Sequence, residues 1–253
     1  FEPHYKNNPA KYISHLLGHE GTNSLLSYLM DEGLATGVMS AYNPEREIFS
    51  VFSVEVELTK KGLANYEQVC SIVFGYINML KKKGTEKWIH EELNKIVKFQ
   101  FDYKDKEKPM GYVYTLATKM HFYPVEDILR ASYLMEDWKP ELVSKAINSL
   151  RLDNVRIHLI SKSVEKDCNL TEKWYGQKYS VEKFTPAFLK LLEDPQIPPS
   201  TKSKKILDLP QPNEFIPQNF DLFAKDFASL PQHPEKVYES EIMESYFKQD
   251  NTF

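Results

Sequence analysis

Residues Pro9 to Tyr42 read PAKYISHLLGHEGTNSLLSYLMDEGLATGVMSAY, and the spacing of apolar residues and glycines within them decides the fold. Tyr12, Ile13, Leu16 and Leu17 fall three and four apart, so a helix here has one apolar face. Gly18 follows the last of them, where a helix-ending glycine can take positive φ. Asn23 is the expected N-cap of a second helix, SLLSYLMDE, with Leu25, Leu26 and Leu29 facing inward and Gly33 as its stop. LATGVMSAY then starts a strand of small and apolar residues. Helix, glycine turn, helix, glycine stop and strand is the unit around which the remaining elements are placed.

Asn43-Pro44-Glu45 reads as a turn, and REIFSVFSVEVEL as the returning strand of an antiparallel hairpin. Thr59 is placed to cap a long helix running from Leu63 to Leu80 that Gly84 ends. Thr85 is expected to cap a further helix carrying Trp88, Ile89, Leu93, Ile96 and Val97. TLATKM, VEDILRASYLM and PELVSKAINSL read as three shorter helices. DNVRIHLISKS alternates as a strand does, KWYGQKYS is a short aromatic strand, and TPAFLKLLED is helical. From Pro195 onward prolines punctuate a polar, extended tail that packs on a surface or links to another domain. Few strands among many helices, without βαβ alternation, predict an α+β fold: an antiparallel sheet with helices packed on one face, followed by the proline-rich tail.

Composition narrows the function classes. The 253 residues carry 32 basic against 36 acidic side chains and a formal charge of −4, which argues against nonspecific nucleic-acid binding. No apolar run is long enough to span a membrane, so neither nucleic acid nor membrane is an expected partner. The two cysteines, Cys70 and Cys168, show neither metal spacing nor a disulfide framework, which fits a reducing, cytoplasmic setting. Trp88, Trp138 and Trp174 read as packing residues.

No catalytic motif is found. His15-Leu-Leu-Gly-His19-Glu20 has two histidines four apart, but the glutamate follows both, whereas His-x-x-Glu-His needs it between them. His90-Glu91-Glu92-Leu93-Asn94 begins like His-Glu-x-x-His but ends in asparagine. Phosphate-cradling glycine loops and a Gly-x-Ser-x-Gly elbow are also missing.

GHEG followed by SLLSYLMDEGLA, together with YKNNPAKY, KDKEKPMGY, FYPVEDIL, DNVRIHLISKS, EKWYG, NEFIPQNF and YFKQD, resembles in order the insulysin-like members of the pitrilysin-type zinc metallopeptidase family. The resemblance implies that residues 1–194 are the second, noncatalytic domain of such a peptidase, lacking most of its first strand. It implies that 195–253 lead toward a third domain, with Lys104–Lys108 a solvated charged segment or a contact made when the two halves close. Zinc belongs to the preceding domain, so no cofactor and no catalytic residue is expected here. What it implies instead is an exosite that holds the N-terminal end of a peptide substrate, carried by His15, Gly18, Glu20, Gly21, Val38 and Ser40. Strand pairing at Val38–Ser40 gives affinity with little sequence preference, and Glu20 pairs with the α-ammonium. Where family members often have consecutive glycines, this chain has Ser40-Ala41-Tyr42-Asn43-Pro44, which narrows the approach. The bland reading keeps Gly18 and Gly21 as helix punctuation and Glu20 as a turn residue, in a domain serving only structure or assembly. Expected partners are peptide substrates and the other domains of the parent chain. A missing first strand also leaves an open sheet edge, which the tail or a neighbouring molecule is expected to cover.

Overall fold

The computed structural model describes residues 4–45, 49–220 and 233–248. They fall into two units, Phe1–Glu214 and Phe215–Phe253. The first begins with α1 (Pro9–Leu17) and α2 (Leu25–Asp31), followed by the hairpin of β1 (Ala35–Glu45) and β2 (Phe49–Leu58). Helices α3 (Lys60–Ala64), α4 (Tyr66–Lys83), α5 (Lys87–Asp102), α6 (Pro109–Lys119) and α7 (Pro140–Asn148) come next. A two-residue ladder of β3 (Leu170–Thr171) with β4 (Lys178–Tyr179) and then α8 (Pro186–Glu193) complete it. The second unit contains the hairpin of β5 (Glu235–Glu239) and β6 (Glu244–Phe247). The α+β class stands, with the antiparallel pairing divided, among the described residues, into three two-stranded sheets.

The core forms where the opening unit meets α4, α5, α7 and α8. Tyr12, Leu16, Leu17, Leu25, Leu29, Tyr76, Leu80 and Ile89 are fully enclosed. Each such aliphatic side chain contributes about 1.5–3 kcal/mol over an exposed one. The hairpin is fully antiparallel, with Val38 opposite Val56, Ser40 opposite Val54 and Tyr42 opposite Phe52. Val38 is buried and Phe52, Val54 and Val56 pack partly on the core, while Met39, Val51 and Glu55 face outward. Thr59 does cap a helix, its hydroxyl accepting from the Gly62 N–H, but that helix is the short α3; the long α4 starts separately after Asn65, and Gly84 leaves it at φ 79°.

Several local expectations are corrected. Asn43-Pro44-Glu45 is not the hairpin turn: these residues continue β1, opposite Val51, Ser50 and Phe49. Ser24, not Asn23, caps α2; its hydroxyl accepts from Ser27 N, and Asn23 sits in the left-handed region at φ 65°. Glu86 rather than Thr85 precedes α5. VEDILRASYLM forms turns and a short 3₁₀ segment over Ala131–Tyr133, because Asp127 is held by partners distant in the chain instead of by a continuing helix. DNVRIHLISKS is not a strand: its ends lie in the 3₁₀ turns Leu152–Asn154 and Lys162–Asp167, residues 155–161 between them form no ladder, and no third strand joins β1 and β2 among the described residues. Trp88 and Trp138 pack against the core, but Trp174 is 79% exposed. Cys70 and Cys168 are free thiols.

The proline-rich stretch after α8 is strapped to the first unit. Tyr28 donates to the Pro198 carbonyl at 2.8 Å, and Ser200, itself buried, donates to Asp31 at 3.1 Å. Ile197, Leu207 and Leu209 pack on the core, and Lys83 pairs with Asp208 at 3.1 Å.

Candidate functional site

The last turn of α1, the loop after it and the middle of β1 meet at one place. Ser14 donates through Oγ to the Ser40 carbonyl at 2.7 Å, and Ser40 donates through Oγ to the Ser14 carbonyl at 2.6 Å. Gly18 closes α1 at φ −94°, without using the positive φ open to a glycine. Its lack of a side chain matters for space instead. A Cβ there would stand 3.1 Å from the Ser14 carbonyl oxygen and 3.4 Å from Ser40 Oγ. Gly21 lies under the His19 ring, where a Cβ would be 2.5 Å from Nε2. Gly18, Ser40 and Val38 are thus brought to one junction. Val38 is only 4% exposed and so lies enclosed beside the junction, while its neighbour Met39 is 58% exposed. His15 reaches His19, their ring centroids 5.6 Å apart, while Glu20 is exposed at the loop. Ser14 is the member that sequence reasoning missed. A hydroxyl beside a helical apolar stripe looks like any solvated serine until the strand packed on it is known.

The electrostatics of the junction follow from burial. His15 is driven down to about 4 by burial and, secondarily, by the neighbouring His19. Burial lowers His19 as well, opposed by the carboxylates of Glu92 and Glu20. Both rings are therefore neutral at physiological pH, and the formal charges beside them are carboxylates. That combination favours an ammonium group and disfavours an anion.

A metal does not suit this arrangement. His15 lies on α1, but His19 and Glu20 both lie beyond its end at Gly18, so no single helix face carries the two histidines with a glutamate. Among the described residues no three His, Cys, Asp or Glu side chains gather as a metal-holding group. His90 is 3% exposed and packs at 5.2 Å on Trp138, its Nε2 without a hydrogen-bond partner, while Glu91 is turned to Lys87 at 2.9 Å. That second histidine–glutamate run is divided between core and surface. Within the Lys104–Lys108 segment, Lys104 pairs with Glu107.

A second polar cluster anchors the start of the chain. Asp127, its side chain 2% exposed, accepts from Tyr5 Oη at 2.8 Å, from Lys6 Nζ at 2.8 Å and from Arg130 Nε at 3.2 Å. These donors hold its carboxyl below the usual range, the Lys6 bond foremost.

Comparison with known proteins gives this geometry a context. Residues 101–253 match the family model described as the middle or third domain of peptidase M16, and residues 2–97 match the one described as the peptidase M16 inactive domain. The chain is 34% identical over 252 residues to insulin-degrading enzyme of Homo sapiens, covering 100% of this chain and 24% of that protein. It is 33% identical over 256 residues to human nardilysin, covering 100% of this chain and 22% of that protein. The crystal structure of pitrilysin superposes with a TM-score of 0.78 at 26% identity, over 95% of this chain and 25% of that one. The chain spans about a quarter of the length of these relatives.

Proposed function

Because this chain belongs to the peptidase M16 family, we propose that it is a noncatalytic, substrate-holding part of an insulysin-like zinc metalloendopeptidase. In this reading the parent hydrolyses peptides inside a chamber, with zinc held by a preceding domain. The present chain supplies a length of chamber wall and an exosite for the N-terminal end of the substrate. The observation that carries the reading is the junction of α1 with β1. Two neutral histidines and the exposed Glu20 flank Gly18, whose Cβ position lies 3.6 Å from the Ser40 backbone nitrogen on β1. A peptide is then recognised by what every unblocked peptide has, a main chain and an α-ammonium. The cytoplasm is the proposed compartment, in keeping with two thiols left unpaired.

The test is a titration of the chain with a fluorescein-labelled peptide whose α-amino group is free. Binding that weakens both on Glu20→Ala and on N-acetylation of the peptide supports the exosite. Binding indifferent to both changes removes it. The alternative is a purely structural or assembly domain. It draws on the fact that the space beside Gly18 is already filled by Ser14 and Ser40. Under that alternative no peptide binds at all.

A further inference from the structure

We propose that Ser14 and Ser40 form a latch that limits how much of the β1 edge a docking peptide can use, and so set the strength of peptide binding at this site. The proposal rests on the exosite reading above and adds the residues that tune it. The geometry is reciprocal: each serine hydroxyl donates to the other's carbonyl, at 2.7 and 2.6 Å, and the two Oγ atoms are 3.1 Å apart. The Ser40 carbonyl, which a visiting backbone N–H would seek on β1, is therefore already in use, and the Ser14 carbonyl belongs to α1, where it also accepts from the Gly18 N–H at 2.9 Å. The space is closed as well, since even one methyl on Gly18 would press on the Ser14 carbonyl and Ser40 Oγ. Beside the latch on β1, Met39 is 58% exposed, while Val38 is 4% exposed. A peptide that enters here meets open surface at Met39 and competes with an internal bond at the Ser40 carbonyl. Each bond it must displace is a neutral hydroxyl–carbonyl bond, of the kind whose net contribution is modest but not negligible.

Removing the latch should strengthen binding. The experiment uses the whole chain and a peptide of alternating serine and valine, fluorescein-labelled at its C-terminus, with its α-amino group free. Ser14→Ala combined with Ser40→Ala should tighten its dissociation constant roughly tenfold, equivalent to about 1.4 kcal/mol. Ser14→Ala alone, which leaves one bond in place, should give about a third of that factor. Ser40→Thr keeps the hydroxyl and should bind like the parent chain. A structural role alone predicts the opposite sign, because loosening the junction would weaken or abolish binding. If the double variant and Ser14→Ala bind no more tightly while Glu20→Ala still weakens the parent chain, the latch is refuted and the exosite stands. If the parent chain binds no peptide, or binds one indifferently to Glu20→Ala and acetylation, the exosite reading and the latch fall together.

Discussion

His15 should make this fold sensitive to mild acid, and the size of the effect can be worked out. Free in an unfolded chain the imidazole titrates near 6.5; in the fold it titrates near 4, because burial and His19 disfavour its cation. Above pH 6.5 both states hold the ring neutral and it adds no pH dependence. As pH falls below 6.5 the unfolded chain takes up a proton that the folded chain refuses, so stability declines, and the decline stops only below about 4. At about 1.4 kcal/mol per pH unit, the loss between pH 7 and pH 5 is about 2 kcal/mol. His15→Asn, which keeps a polar group but not the titration, should remove that portion. Urea denaturation of both proteins at pH 7 and pH 5 measures it as the difference of two differences. Carboxylates such as Asp127 and Asp31, held below their usual range, titrate at lower pH and cancel between the proteins. His19 titrates in the same window, so the His15→Asn chain keeps a smaller residual slope. If the variant loses as much stability as the parent on going to pH 5, His15 is charged in the fold and the neutral-junction argument fails.

Other expectations can be checked by similar means. Gly62→Ala should destabilise the chain by about 3 kcal/mol or more, since the new Cβ would sit 1.9 Å from the Leu34 carbonyl oxygen, and backbone must move to admit it. Equilibrium unfolding decides this, and a cost below about 1 kcal/mol would show that α3 slides freely. Thr59→Ala should lose about 1 kcal/mol, because the hydroxyl both caps α3 and donates to the Gly33 carbonyl at 2.7 Å. Asp127→Ala should lower the melting temperature and raise hydrogen exchange over residues 4–8, the segment that Tyr5 and Lys6 tie down. Unchanged exchange there would mean that backbone contacts such as Glu136 N–H to the Lys6 carbonyl suffice.

How much of this was legible depends on whether an element is determined locally. Helices α1, α2, α4, α5, α7 and α8 follow from apolar spacing and punctuation, and so does the β1–β2 hairpin, whose strands are neighbours in sequence. DNVRIHLISKS shows the limit. Its alternation survives as burial, with Val155 and Ile157 packed on the core, yet a strand also needs a partner, and local pattern cannot supply one. VEDILRASYLM has helical spacing, but Asp127 is fixed by Tyr5 and Lys6 from the far end of the chain, and tertiary bonds override the propensity. At the candidate site, Gly18 was legible as a residue that must be small, but not for the right reason. Helix termination allows an unusual backbone angle; the structure shows ordinary backbone and crowded space. Glu20 and the histidines carry no local mark that separates a docking residue from a solvated turn. Trp174 illustrates the same blindness in reverse, an aromatic that reads as core and stands 79% exposed.

The strap after α8 has a consequence for how this segment tolerates change in length. Gly75 on α4 forms a notch that only a glycine leaves open, for a Cβ there would meet Ile197 Cγ1 at 2.6 Å. Pro198 and Ser200 are then fastened to Tyr28 and Asp31 in turn. Three consecutive anchorages on two different helices make residues 195–200 a ruler: insert or delete one residue and every fastening falls out of step at once. Sequence drift in this stretch is expected as substitution and not as gain or loss of residues, although its irregular, proline-laden appearance suggests the reverse.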